Sequence, residues 1–143
     1  MSNSLVKNKS FDFAVKVVRT YKHLSKEKKE FVLSKQFLRS GTSVGANIRE
    51  SQNAQSKADF IHKLSISQKE CDETIYWLEL LYETDFLDAK RYEELHGEAT
   101  EILKILRSII ITTKNNMKKN KQLIIHPLII HQLITHNSST HNS

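Results

Sequence analysis

Two acid-x-x-His pairs, Asp59/His62 and Glu93/His96, are the first residues whose spacing suggests chemistry. Di-metal sites in helical bundles use this i, i+3 spacing because it sets both ligands on one helix face. Here each pair falls near the start of a different helix, and the two helices are expected to run antiparallel. That separates His62 from His96 by roughly 20 Å or more along the axis, too far to share a metal pair. Both read as surface histidines, and no metal is expected. Cys71 stands between Glu70 and Asp72. Carboxylates raise a thiol pKa, so Cys71 reads as a packed side chain rather than a nucleophile. A single cysteine excludes an internal disulfide and suits a reducing cytoplasm. The chain has no phosphate-cradling glycine loop, nucleophile elbow or zinc-ligand spacing. Neither an enzyme nor a cofactor is expected.

Basic side chains are the stronger signal. The 143 residues carry a net charge of +6, distributed in blocks. Residues 1–56 hold 11 Lys/Arg and 4 Asp/Glu, residues 57–101 hold 5 and 12, and residues 102–121 hold 6 and none. Such segregation fits a phosphate-binding face or charge matching between protomers. Lys7, Lys9, Lys16, Arg19 and Lys22 lie near the N-terminus, and Lys114, Lys118, Lys119 and Lys121 near the end of the last helix. In an up-down bundle, Lys7, Lys9 and the last four should gather at one end. Backbone phosphates of RNA or DNA reward that density without base readout. Aromatic side chains for base stacking are few, with only Tyr21 and Phe31 among these charges.

The elements that must position these residues are helical. One Pro (Pro127) and three Gly argue for long helices and short turns. Ser10 reads as the N-cap of a first helix with Phe11, Ala14, Val15, Val18 and Tyr21 on its apolar face. His23–Glu27 reads as a turn, with Ser25 capping a second helix over 27–52 that buries Leu33, Phe37, Gly41, Val44 and Ile48. A third helix is expected over 57–83, carrying Phe60, Leu64, Cys71, Ile75, Leu78 and Leu81. Asp88 caps a fourth whose seam runs Tyr92, Leu95, Ala99, Ile102, Leu106, Ile109 and Thr113. Short connections between such helices dictate an all-α, up-down-up-down antiparallel four-helix bundle over residues 1–121.

Residues 122–143 are of another kind. From Ile124 they divide into five-residue blocks with His third in each: His126, His131, His136 and His141. Low complexity predicts a disordered extension. A spacing of five turns successive histidines to different helix faces, which disfavours a metal site. The run 123–134 is too short to span a bilayer, Met1–Ser10 has no secretory h-region, and a cytoplasmic protein without a membrane partner is expected.

Within the second helix, Arg39, Ser43, Asn47 and Glu50 form a polar stripe, and Gly41 and Gly45 lie four residues apart. About a turn near Gln55, Arg39 is level with Cys71, Ser43 with Ser67 and Asn47 with Lys63. Ser40, Gly41 and Ser43 are then expected to meet Ser67 and Cys71, and Arg39 to reach Glu70 or Glu73. The pattern Arg39-Ser40-x-x-Ser43-Val44-x-x-Asn47-Ile48-x-Glu50, after Leu33-x-x-Gln36 and before Glu73-Thr-Ile-Tyr-Trp-Leu-Glu-Leu-Leu81, resembles the 23S rRNA intervening-sequence proteins. Ser51 stands where many members have Gly. The resemblance spans residues 10–115 and leaves the tail outside. It implies a bacterial cytosolic four-helix bundle, a ring-like homopentamer and no catalysis. Related accessory proteins of diversity-generating retroelements bind nucleic acid and a reverse transcriptase. The expectation is a homo-oligomer that binds RNA or DNA non-specifically, with a protein-interaction scaffold lacking a nucleic-acid role as the alternative.

Overall fold

The computed structural model describes residues 2–140, with side chains except those of Ser2, His126 and residues 137–140. Met1 and His141, the fourth histidine of the repeat, lie outside the described residues. Four helices follow in order: α1 (Ser2–Lys26), α2 (Leu33–Ser51), α3 (Lys57–Glu83) and α4 (Ala89–Thr140). The chain forms two compact units, Met1–Ile110 and Ile111–Ser143. The first is an antiparallel four-helix bundle.

Contacts between neighbours set the order of the helices around the core. Ser67 donates to the Val44 carbonyl at 2.8 Å and Thr74 to the Ser40 hydroxyl at 2.9 Å, joining α3 to α2. Cys71 Sγ lies 3.2 Å from the Ala99 carbonyl, and Tyr82 stacks on Tyr92 at 4.3 Å, joining α3 to α4. Lys9 reaches Glu101 at 3.0 Å and Lys16 reaches Glu94 at 2.8 Å, joining α4 to α1. Partner numbers fall on one helix as they rise on the other, which is the antiparallel sense. The core holds Val6, Phe13, Val17 and Leu24 of α1 with Phe37, Val44 and Ile48 of α2. Leu64, Leu78 and Leu81 of α3 and Leu95, Ile102 and Leu106 of α4 complete it.

Three local expectations need correction. Ser10 does not start α1; it is buried mid-helix, and its hydroxyl donates back to the Lys7 carbonyl at 3.0 Å. The seam Val6, Ser10, Phe13, Val17, Thr20, Leu24 continues N-terminally past it, so burial prolongs the helix. Phe11 and Val18, expected on the apolar face of the first helix, are 53% and 36% exposed. Ser25 is likewise inside α1, bonding the Tyr21 carbonyl at 3.0 Å, and α2 starts at Leu33. The buried Glu30 carboxylate takes the capping role, accepting from the amides of Val32 (3.1 Å), Leu33 (2.9 Å) and Ser34 (2.7 Å). Lys29, at φ 55°, turns the chain so that this side chain can reach back.

The starts of α3 and α4 are capped conventionally. Ser56 accepts from Asp59 N at 3.0 Å, and Asp88 from Arg91 N at 2.8 Å. Every described side chain of residues 122–136 is exposed. The backbone of this stretch follows α4 as far as Thr140, with Pro127 inside, and nearly every described side chain from Ile111 to His136 is exposed.

Candidate functional site

The glycines of α2 serve a different neighbour from the one expected. A Cβ on Gly41 would lie 2.8 Å from both Val17 methyls, and one on Gly45 would lie 3.2 Å from the Ser10 carbonyl oxygen. Both glycines therefore admit α1, not α3. Ser40 faces Thr74 of α3, while the Ser43 hydroxyl turns back to the Arg39 carbonyl at 2.7 Å. Cys71 points on to α4. Burial first, and the adjacent Asp72 second, push its thiol up to about 12, which leaves it inert.

The polar stripe runs along the outer edge of the α2–α3 seam. Arg39 lies 3.2 Å from Glu70 and also bonds Glu73. Asn47 donates to the Ser43 carbonyl at 2.8 Å, and Glu50 meets Lys63 at 3.1 Å. The Arg39 side chain is 49% exposed, so each ion pair is worth about 1 kcal/mol or less.

The basic residues divide into two groups. Lys7, Lys9, Lys16, Arg19 and Lys22 belong to the first unit; Lys114, Lys118, Lys119 and Lys121 belong to the second and are exposed. Lys9 pairs with Glu101, and Lys16 with Glu94 and Glu98. The hydrogen bonds that Lys16 donates to both carboxylates raise its pKa and hold it charged. These two lysines are thus compensated, whereas Lys7, Arg19 and Lys22 are exposed. Chain-local reasoning missed the pairing because α1 and α4 are remote in sequence; only closure of the bundle sets their register.

The two acid-x-x-His pairs stay apart. His96 faces Glu79 of α3 at 3.3 Å, and His62 is exposed. Among the described residues, no group of three His, Cys, Asp or Glu is placed to hold a metal ion. No helix among them is long and apolar enough to cross a membrane.

A feature the sequence did not single out is a groove on the outer side of α1 and α2. It has a volume of about 450 Å³ and is lined by Phe11 and Ala14 from one helix and Thr42, Gly45 and Ala46 from the other. Lys7, Arg49, Glu50 and Asn53 complete the lining, with the Arg49 guanidinium 5.4 Å from the Phe11 ring centre. The signal is in the sequence: α1 carries apolar residues on two faces, and the one with Phe11 and Val18 is exposed.

A family model described as 23S rRNA-intervening sequence protein matches residues 2–108. Among solved structures, the chain is similar to a protein with unknown function from the S23 ribosomal protein family of Bacteroides thetaiotaomicron VPI-5482. The two share 57% identity with a TM-score of 0.76, over 77% of this chain and 98% of the other. No curated protein matches.

Proposed function

The chain belongs to the 23S rRNA-intervening sequence protein family, and from that premise we propose that it is a non-catalytic helical protein that binds RNA or DNA without sequence preference. The observation that carries this reading is the run Lys114, Lys118, Lys119 and Lys121. All four are exposed, and no acidic residue follows Glu101 in the sequence. Lys7, Arg19 and Lys22 add exposed charge on the first unit, while Lys9 and Lys16 contribute less because their carboxylate partners already compensate them. Binding of this kind releases counterions, so affinity falls steeply with salt. The test is fluorescence anisotropy with a labelled RNA duplex between 50 and 200 mM salt, conditions over which phosphate-driven binding typically falls by orders of magnitude. Replacing Lys118, Lys119 and Lys121 together by Ala is expected to lower the slope of log K against log salt by about 2–3. An unchanged slope, or no binding at 50 mM salt, removes the proposal.

A second reading, self-association as an interaction scaffold, draws on a separate observation. Phe11 and Val18 form an apolar stripe on α1 that the bundle leaves uncovered. The two readings are compatible, since joining copies also multiplies weak phosphate contacts.

A further inference from the structure

The groove between α1 and α2 has walls of unequal character. Phe11 and Ala14 form one side, and Gly45 and Ala46 leave the other without bulk. Its edge carries Lys7 and Arg49 together with Glu50, whose carboxylate is paired with Lys63 at 3.1 Å, so the edge is net basic. A fitting occupant therefore has a large apolar body and acidic surroundings.

This chain carries such a projection on α3. Tyr76 is 56% exposed, an uncommon burden for a side chain of that size. Helical spacing sets Asp72 four residues before it, Glu79 three after and Glu83 seven after, on the same outward side, with Lys69 seven before. These carboxylates are weakly matched within the chain. Arg107 stays 3.9 Å from Asp72, and Glu79 meets only the His96 ring. Tyr76 thus stands in a net acidic field on one helix, while the groove opens in a net basic field on two others.

We propose that the α1–α2 groove of one copy receives Tyr76 of a second copy of this chain. The tyrosine ring fills the space over Ala14, Gly45 and Ala46. The carboxylates around it meet Lys7 and Arg49 at the edge, where opposite charge fixes orientation and partner choice. Tyrosine suits this role because it buries a large rigid surface while keeping its hydroxyl wet. The contact is heterologous: each copy offers a groove at one place and a knob at another, so association propagates into a ring or a filament. The inference rests on the self-association reading, to which it assigns a surface.

The test uses the full chain and begins with its mass by light scattering. A mass that is a multiple of 16.6 kDa is expected for the wild type, and the 16.6 kDa monomer for Tyr76→Ala and for Ala46→Trp, with helical circular dichroism unchanged. Mixing the two variants restores one intact contact, so a dimer is expected from two monomeric preparations. Cysteine trapping gives an independent readout, because the native Cys71 is buried and its thiol is held up at about 12. Oxidising Ala46→Cys with Tyr76→Cys should yield a disulfide-linked pair, and neither variant alone should cross-link. A monomeric wild type removes the self-association reading itself. An oligomeric wild type whose mass survives both substitutions, without trapping, overturns only this contact. Unchanged mass with weakened RNA binding in Ala46→Trp assigns the groove to nucleic acid and overturns it equally.

Discussion

Gly41 and Gly97 are both helical glycines, yet they answer to opposite forces. In a helix interior, Gly→Ala gains about 1 kcal/mol from reduced backbone freedom. At Gly97 nothing lies within 4 Å of an added Cβ, so Gly97→Ala should stabilise the bundle by nearly that amount. At Gly41 the added carbon would meet Val17 at 2.8 Å, and valine, branched at Cβ, has little freedom to turn aside. Overpacking of this kind costs roughly 1–3 kcal/mol, so Gly41→Ala should lower the urea midpoint where Gly97→Ala raises it. A rise in both would show that α1 can move away from α2 at little cost. The polar stripe tells the same story of local context. Arg39 holds two carboxylates, but its exposure keeps each pair weak.

At the scale of elements, the join between α1 and α2 depends on one buried carboxylate. Burial alone would raise the Glu30 pKa, but the amides of Leu33, Ser34 and Val32 outweigh it and hold the group below its usual range. A folded-state pKa below the unfolded one means that Glu30 stabilises the protein fully above the unfolded value, about 4.3, and loses this as pH falls through the folded value. Glu30→Gln should therefore destabilise the protein by about 1–2 kcal/mol at pH 7, within the range for losing a cap. In urea melts at pH 7 and pH 3, the gap between wild type and variant should narrow at the lower pH. A gap that stays constant would mean that the carboxylate charge contributes nothing to the cap. The turn into α2 also shows why a helix start is hard to place from a string of residues. Ser25 has the right type for a cap, but the backbone leaves the helix only after Lys26, and a residue four places later does the capping.

For the molecule as a whole, the boundary at Ile110 separates residues that share a core from residues that do not. From Ile111 to His136 nearly every described side chain is exposed, including Leu123, Ile124 and Leu128. Helical segments without tertiary packing are marginal in water, and Pro127 weakens this one by roughly 3 kcal/mol. Brief trypsin treatment should cut first after Lys114, Lys118, Lys119 or Lys121, and leave a resistant fragment that begins at the N-terminus. Mass spectrometry identifies the product. Early cleavage at Lys57 or Lys63 instead would mean that the bundle, and not the extension, is the weak part. Loss of the lysine run in that fragment also makes it a natural control for RNA binding.

Periodicity and caps were enough to read α3, and the start and core seam of α4, from the chain alone. Ser56 and Asp88 act within one turn of their own helix, and the α3 core positions recur at intervals that one helix face imposes. The α2–α3 register was legible for a related reason: a short turn leaves little room for slippage, so Arg39 and Glu70 are level by counting. Over α1 the spacing of Phe11, Ala14 and Val18 marks one apolar face, while Phe13 and Val17 lie on another. Spacing reports that a face is apolar, not which face a distant helix will cover. Only the closed bundle decided that Val6, Phe13, Val17 and Leu24 turn inward and that Phe11 and Val18 stay out. The same closure gave Lys9 and Lys16 their carboxylate partners on α4 and gave Gly41 and Gly45 their neighbour in α1. Local chemistry acts over one helical turn and is written in the order of residues. Pairing between helices far apart in the chain follows from the fit of whole surfaces, and appears only when those surfaces meet.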